Sequence, residues 1–203
     1  MPKHNPLSLA LFANFFLLFA VAATTAATTP QDEVFRSSCA EARYPALCVK
    51  TLSKYAGSNT KPLDLAQAAT KASLGQARAL SIYLKTTVQA QATSTRQRAA
   101  LSDCMAQISD SVTQLDRTLS ELQHLQVKSF QWQMSNAQTW ASTVMSNGGS
   151  CVRSFRNSDA DAKLKLDMNR RVTTVTMLTS NALYLITRLS EGTSRNHRSN
   201  SHP

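Results

Sequence analysis

The sequence contains few of the residues that interrupt helices. Only five of its 203 residues are glycine and six are proline, while Ala, Leu, Ser, Thr and Gln are abundant. An all-β domain needs many tight turns, and such turns draw on glycine and proline. The composition therefore disfavours an all-β fold and predicts one small all-α domain with long helices.

Motifs of common enzyme classes are also missing. The sequence has no glycine-rich phosphate loop and no Gly-x-Ser-x-Gly elbow, and His124 is the one histidine inside the predicted domain. A serine hydrolase needs a base beside its nucleophile and a third group that orients the base. We expect His124 to be solvated at a helix end, and we predict no cofactor. A binding module is favoured over an uncharacterised hydrolase.

A long hydrophobic run occurs once, at the N-terminus. Lys3 precedes an uncharged apolar run at residues 7–23, and small residues near its end suit the cleavage rule for export signals. We therefore predict a signal peptide over residues 1–23. No second run is long enough to span a membrane, so we expect the mature chain to be soluble and secreted. The sequence has no Asn-x-Ser/Thr sequon, and N-glycosylation is not expected.

The cysteines indicate disulfides. In an exported chain an even number of cysteines is typical of a disulfide framework. The absence of a Cys-x-x-Cys pair, together with few histidines, argues against a metal site. Four cysteines allow three pairings, and sequence alone does not choose among them. The residues are Cys39, Cys48, Cys104 and Cys151.

Apolar residues recur at helical spacing in a central segment, residues 101–125. They alternate steps of four and three over about six turns, which is typical of a helix with one buried face. Such a helix needs partners with similar stripes, and three other segments offer them, so we predict an antiparallel four-helix bundle. The central apolar residues are Leu101, Met105, Ile108, Val112, Leu115, Leu119 and Leu122.

Prolines and capping residues indicate helix starts, and glycines indicate helix ends. We predict one domain over residues 24–192. It contains a short N-terminal helical hairpin at about 31–55 and an up-and-down bundle at about 62–190. Residues 193–203 are polar and basic and are predicted to be a disordered tail. Starts are assigned to Pro45, Pro62, Ser94 with Gln97, Ser129, and Ser158 with Asp161, and ends to Gly148, Gly149 and Gly192.

Five segments, three of them containing the cysteines, carry a resemblance to one known family. They are RSSCAEARYPALCVKTL at residues 36–52, ALSDCMAQISDSV at 100–112, QTWAS at 138–142 followed by CVRSF at 151–155, and TSNAL at 179–183. In these segments the chain resembles the plant invertase and pectin methylesterase inhibitor family. The cysteines and their neighbours have the family's order and spacing over essentially the whole mature domain.

The resemblance implies disulfides between Cys39 and Cys48 and between Cys104 and Cys151. It also implies a four-helix bundle behind an N-terminal helical hairpin, and secretion to the plant cell wall, or apoplast. By the same resemblance, the chain is expected to catalyse no reaction and to inhibit a carbohydrate-active enzyme through a non-covalent 1:1 complex. In the family's complexes with pectin methylesterase, the bundle covers the substrate cleft and pectin cannot enter.

Two branches of the family share this scaffold. The segment with Trp140, Cys151 and Phe155 resembles the pectin methylesterase inhibitors, whereas invertase inhibitors carry a Pro-Lys-Phe motif after the central helix. Here that turn is Val-Lys-Ser-Phe at residues 127–130 and lacks the proline. The resemblance therefore favours a pectin methylesterase (pectinesterase) as the target, with cell-wall or vacuolar acid invertase as the alternative. Residues 147–150, Asn-Gly-Gly-Ser, replace a more acidic loop found in many relatives.

The predicted contact surface is polar, because outward positions on the central and following helices are rich in Gln, Ser and Thr. Trp140 is expected in the core, while Trp132 near a helix start would be a candidate hot spot if exposed. The predicted target contacts are Asp110, Gln114, Arg117, Gln138, Thr139 and Ser142.

The chain is strongly basic, with 22 Lys and Arg against 12 Asp and Glu and a formal net charge of +10. Such a chain should bind polyanionic pectate weakly and reversibly, which makes a pectate-binding wall protein the alternative of another class. Predicted export argues against a nucleic-acid partner. The predicted basic cluster is Arg153, Arg156, Lys163, Lys165, Arg170 and Arg171.

Overall fold

The computed structural model describes the backbone of residues 29–199 and the side chains of residues 29–193. The predicted signal peptide therefore lies outside the described residues. Within them no strand occurs, and no helix is long and apolar enough to cross a membrane. In chain order the helices are α1 (Pro30–Cys39), α2 (Pro45–Tyr55), α3 (Pro62–Tyr83), α4 (Thr95–Gln123), α5 (Phe130–Arg156) and α6 (Ala162–Ser199).

Helices α3, α4, α5 and α6 form the predicted four-helix bundle. Each packs against two of the others, with α4 between α3 and α5, and α6 between α5 and α3. The connections are short, so consecutive helices run antiparallel. Helices α1 and α2 form a hairpin that packs on α3 and α6. The predicted fold class is therefore confirmed.

Several helix starts follow directly from their first residues. Pro45 and Pro62 begin α2 and α3, because the fixed φ of proline suits the first helical turn. Ser94 begins α4, and its Oγ accepts a hydrogen bond from the Gln97 amide at 3.0 Å. These three starts agree with the sequence prediction.

Ser158 and Asp161, predicted to cap one helix together, act at two different helices. Asp161 caps α6, since its Oδ1 accepts a hydrogen bond from the Leu164 amide at 2.8 Å. Ser158 instead donates to the Phe155 carbonyl at 2.8 Å and closes the turn after α5.

Helix α3 continues through a π-helical segment, Leu84–Val88, and a last turn, Gln89–Gln91. The helical path thus ends near Gln91, as predicted. Leu84 and Val88 are 0% and 1% exposed, so the wider π turn keeps both side chains in the core.

Gly148 and Gly149 do not end α5, and that prediction is wrong. The helix runs on past both residues, so residues 147–150 are helical and do not form a loop. Gly148 is buried against α6, where a Cβ atom would overlap Thr176 Cγ2 and lie 3.3 Å from Val172 Cγ1. Its missing side chain therefore serves close helix packing and not a left-handed turn.

The predicted end of α6 at Gly192 is also wrong, because the helix extends to Ser199. Gly192 has no positive φ, and no proline follows it before Pro203 to stop the helix. The predicted tail at residues 193–203 therefore begins inside a helix, and residues 200–203 lie outside the described residues.

Two hydrophobic clusters fill the bundle, one at each end. One lies under the hairpin and contains the Cys39–Cys48 disulfide, with its Cα atoms 5.8 Å apart. The other contains the Cys104–Cys151 disulfide, which joins α4 to α5 with its Cα atoms 4.3 Å apart. Both pairings implied by the family resemblance are confirmed.

A charged cluster joins α6 to the end of α3. Arg171 Nε donates to Asp167 Oδ2 at 2.8 Å, and the guanidinium carbon lies 3.7 Å from the Tyr83 ring centroid. Arg170 donates to the same carboxylate at 2.6 Å. The hydrogen bond from Arg171, followed by one from Tyr83, lowers the pKa of Asp167 to about 2. Two members of the predicted basic cluster are therefore already paired with a carboxylate.

Gly148→Ala should lower the free energy of unfolding by about 1–3 kcal/mol, because the new methyl group would overlap Thr176 across the α5–α6 interface. Gly149→Ala is the matched control. No neighbouring group lies within 4 Å of its ideal Cβ position, and alanine should stabilise the helix by about 0.5–1 kcal/mol. Urea denaturation of both variants measures the difference, and equal stabilities would contradict the packing role of Gly148.

Stability should also fall as Asp167 titrates in acid. Its pKa in the folded state is about 2, below the ordinary 3.8, so the carboxylate stabilises the fold above about pH 4. That contribution disappears as pH falls through 2. Asp167→Asn should cost about 1–2 kcal/mol at pH 6 and clearly less at pH 2. Urea denaturation at both pH values checks this, with exposed Asp103→Asn as control, and a cost independent of pH would refute it.

Candidate target-binding side formed by α4 and α5

The six predicted contact residues lie on two adjacent helices. On α4 they are spaced four and three residues apart, so they share one stripe beside α5. On α5, two are exposed along the outer edge, whereas Gln138 is half-buried and projects about 100° away from its neighbour Thr139. The residues are Asp110, Gln114 and Arg117 on α4, and Gln138, Thr139 and Ser142 on α5.

Asp110 is exposed but already engaged. Its Oδ2 accepts a hydrogen bond from Asn147 Nδ2 of α5 at 2.8 Å, and its Oδ1 accepts one from Gln114 Nε2 at 3.0 Å. Asn147 also donates to Ser111 Oγ at 3.3 Å. The seam between α4 and α5 thus fixes the orientation of this predicted contact residue.

Two polar groups on the same stripe have no partner among the described residues. The Oε1 atom of Gln114 is buried and accepts no hydrogen bond from any residue that the structure describes. Arg117, about one turn further along, is exposed and forms no ion pair with residues 29–193. Arg117 is therefore available to a docking partner, whereas the Gln114 Oε1 atom is an unsatisfied buried acceptor that a partner could reach only if the side chain moved.

Buried Gln133 fastens the turn between α4 and α5. Its Oε1 accepts hydrogen bonds from the Gln126 amide at 2.8 Å and the Ser129 hydroxyl at 3.1 Å. Its Nε2 donates to Glu121 Oε2 at 2.8 Å and to the His124 carbonyl at 3.0 Å. One side-chain amide therefore satisfies four groups. No pattern in the sequence marks Gln133 for this role, because glutamine in a helix is usually at the surface.

Helix α5 has an outer edge without charge. None of residues 129–152 is Asp, Glu, Lys or Arg, although the chain as a whole is strongly basic. Hydroxyls on this edge donate to their own helix, Thr139 to the Ser135 carbonyl and Ser142 to the Gln138 carbonyl, both at 2.8 Å. Interface centres are depleted of charge, and this edge fits that pattern. We call the exposed residues Ser135, Thr139, Ser142 and Ser146 the neutral edge.

Two large apolar side chains are exposed at one end of the neutral edge. Trp132 is 66% exposed and Val127 is 89% exposed. Trp132 precedes Ser135 by three residues and so continues the same stripe. Trp140 is half-buried. An exposed tryptophan beside a charge-free surface is typical of a binding hot spot.

The described residues offer no metal site, since no three His, Cys, Asp or Glu side chains among them are grouped to bind an ion. His124 is exposed at the end of α4, as predicted, with Nδ1 2.8 Å from the Ser120 carbonyl. The α4–α5 side combines a rigid backbone, small hydroxyl side chains and an exposed aromatic ring. That combination suits docking to another protein.

Comparison with known proteins gives a consistent result. A family model described as "Plant invertase/pectin methylesterase inhibitor" matches residues 33–185. The chain is 39% identical over 189 residues to Pectinesterase inhibitor 3 of Arabidopsis thaliana, covering 90% of this chain and 92% of that protein. It is 32% identical over 174 residues to the 21 kDa protein of Daucus carota, covering 84% and 89%.

Solved structures share the fold. The crystal structure of mutant form A of a pectin methylesterase inhibitor from Arabidopsis aligns with a TM-score of 0.59 at 15% identity, over 73% of this chain and 92% of that chain. A second pectin methylesterase inhibitor, from Arabidopsis thaliana, aligns with a TM-score of 0.54 at 14% identity, over 78% and 97%. At these identities the structures establish the common helical architecture.

Gln133→Ala should lower the free energy of unfolding by about 2–4 kcal/mol, because it leaves the Gln126 amide and the His124 carbonyl without their partner. The Gln126 amide should also exchange its hydrogen faster. Urea denaturation and hydrogen exchange measure the two effects. Gln123→Ala, at an exposed position near the end of α4, is the control. Unchanged exchange at Gln126 would contradict the role given to Gln133.

Proposed function

Because the chain belongs to the plant invertase/pectin methylesterase inhibitor family, we propose that it inhibits a pectin methylesterase by covering that enzyme's pectin-binding cleft. The complex is non-covalent and 1:1. The chain catalyses no reaction, and de-esterification of cell-wall pectin stops because the polymer cannot reach the catalytic groups of the esterase.

The neutral edge carries this proposal. A helix edge of small hydroxyl side chains is smooth, so it can approach another folded surface closely along several turns. Its serine and threonine hydroxyls already donate to backbone carbonyls, so contact with a partner leaves them satisfied. Trp132, 66% exposed at one end, supplies the apolar anchor that such an interface usually needs.

Rigidity on both sides of the neutral edge favours tight binding. The Cys104–Cys151 disulfide joins α5 to α4 beyond one end of the edge, and the hydrogen bonds of Gln133 hold the turn beyond the other. A surface that is already ordered loses little conformational entropy on docking. The predicted contacts Asp110, Gln114 and Arg117 would extend the interface from this edge onto α4.

Two features favour an esterase over an acid invertase as the target. Several similar chains carry the name pectinesterase inhibitor, including numbers 3 and 9 of Arabidopsis thaliana. The turn after α4, residues 127–130, lacks the proline of the invertase-inhibitor motif. Invertase inhibition is the alternative within the family.

We place the mature protein in the apoplast, where its target and its target's substrate meet. The apolar run at residues 7–23 fits an export signal, and the two disulfides fit an oxidising compartment. The formal net charge of +10 favours weak, reversible association with de-esterified pectin, whose carboxylates carry the opposite charge.

An inhibition assay tests the proposed function. The mature chain should abolish the activity of at least one plant pectin methylesterase at a 1:1 molar ratio in mildly acidic buffer, and should leave a cell-wall acid invertase active. Titration of enzyme activity gives the stoichiometry. Inactivity against a panel of plant pectin methylesterases would overturn the proposal, and inhibition of invertase alone would replace the target.

Ser142→Glu tests the face that docks. A charge buried at the interface without a partner is strongly unfavourable, so the inhibition constant should rise at least about thirtyfold. Ser53→Glu on α2 is a matched control, because Ser53 is exposed and its hydroxyl also donates to a carbonyl of its own helix, that of Val49 at 3.0 Å. Equal inhibition by both variants would place the contact surface elsewhere on the bundle.

A further inference from the structure

A cleft of about 460 Å³ lies between α5 and α6, beside the hairpin. It belongs to neither the seam between α4 and α5 nor the neutral edge. Helix α5 contributes Gly148, Gly149 and Arg153, helix α6 contributes hydroxyl and valine side chains, and the loop between α1 and α2 closes one end. The α6 and loop residues are Val172, Thr173, Thr176, Ser180, Arg43 and Tyr44.

The cleft is built rigidly. Gly148 lets α5 approach α6 so closely that a Cβ there would overlap Thr176. Gly149 has no neighbouring group within 4 Å of its ideal Cβ position, which leaves open space. At the closed end, buried Asn181 accepts a hydrogen bond from the Tyr44 amide at 3.2 Å and donates to the Tyr44 carbonyl at 2.9 Å. The loop that carries Arg43 is thus fixed to α6.

The charge of the cleft has one sign. Arg43, Arg153 and Arg156 are exposed and line it, and none of the described residues lining it is acidic. These three arginines form no ion pair with any residue that the structure describes, whereas Arg78 and Arg188 are each paired with a carboxylate. Arg153 makes one long hydrogen bond, to Ser150 Oγ at 3.5 Å, and the Arg43 guanidinium carbon lies 5.8 Å from the Tyr44 ring centroid. No carboxylate of the described residues pairs with these guanidinium groups, so each keeps donors for a carboxylate ligand, for which arginine is well suited.

Other lining groups suit a sugar. Thr173, Thr176 and Ser180 place hydroxyls along one wall of the cleft, and Tyr44 supplies a half-buried aromatic ring at its end. Hydroxyls can donate to and accept from the hydroxyl groups of a saccharide. An inorganic anion or an acidic peptide would form fewer hydrogen bonds with these hydroxyl side chains.

We propose that the cleft binds a short stretch of polyuronate, with uronate carboxylates on Arg43, Arg153 and Arg156 and sugar hydroxyls along α6. The choice of a uronate rests on the proposed function, which places the protein beside de-esterified pectin. The inhibitor would thereby bind the product of the enzyme that it blocks, at a site separate from its docking face.

Titration calorimetry of the purified mature chain with trigalacturonate in low-salt buffer tests the proposal without any esterase present. The double variant R153Q/R156Q should weaken binding at least about tenfold, because it removes two charge-assisted contacts. K71Q/K85Q removes the same charge from exposed positions on α3 and its π-helical extension and should weaken it less than about twofold. Equal weakening by both double variants, or no binding by the natural chain, would overturn the proposal.

Two further experiments test the chemical identity of the ligand and the location of its binding site. Trigalacturonate methyl ester, inorganic phosphate and a hexaglutamate peptide should each bind clearly more weakly, and equal binding by any of them would overturn the assignment to a uronate. Gly149→Phe should fill the cleft and abolish binding without changing the net charge, and full binding by that variant would place the ligand elsewhere. Esterase inhibition by the natural chain is measured separately. A natural chain that inhibits an esterase but does not bind trigalacturonate would reject the cleft and leave the proposed function standing.

Discussion

The seam between α4 and α5 is the constraint on which the rest of the structure depends. The Cys104–Cys151 disulfide fixes it near one end, Asp110 and Asn147 bond across it, and Gln133 closes the turn at the other end. The disulfide and these hydrogen bonds set both the spacing and the register of the two helices. The outer edge of α5 is therefore presented on a frame that does not need to reorganise when a partner docks.

Buried hydroxyls lie between the two hydrophobic clusters and add polar contacts to the apolar core. Ser73 Oγ and Thr179 Oγ1 lie 2.6 Å apart and link α3 to α6, and both residues are 0% exposed. Thr118, also fully buried, donates to the Gln114 carbonyl at 2.8 Å. Sliding α3 past α6 would separate the pair of Ser73 and Thr179. Thr179 would keep its hydrogen bond to the Val175 carbonyl at 2.8 Å, whereas the buried Ser73 hydroxyl would lose its partner, so this contact favours one register.

Local sequence signals predicted the fold well at positions where the residue type has a single common structural role. Pro62 and Ser94 start helices because their backbone and side-chain chemistry act within a single turn. Gly148 and Gly192 were assigned wrongly because glycine also serves close packing or simply continues a helix, and only tertiary contacts distinguish these uses. Gln133 was missed for the same reason. The charge-free run at residues 129–152 was visible in the sequence, but its outward direction depends on how α5 packs.

The neutral edge and the arginine-lined cleft would act over different distances. The neutral edge has no charge of its own, so its contact with an enzyme is short-ranged, and long-range attraction comes from the charged groups elsewhere on the chain. Arg43, Arg153 and Arg156 attract polyanions across a Debye length of about 10 Å. A protein held loosely on the wall polymer would search for its enzyme along that polymer, and the matrix itself would set the speed of inhibition.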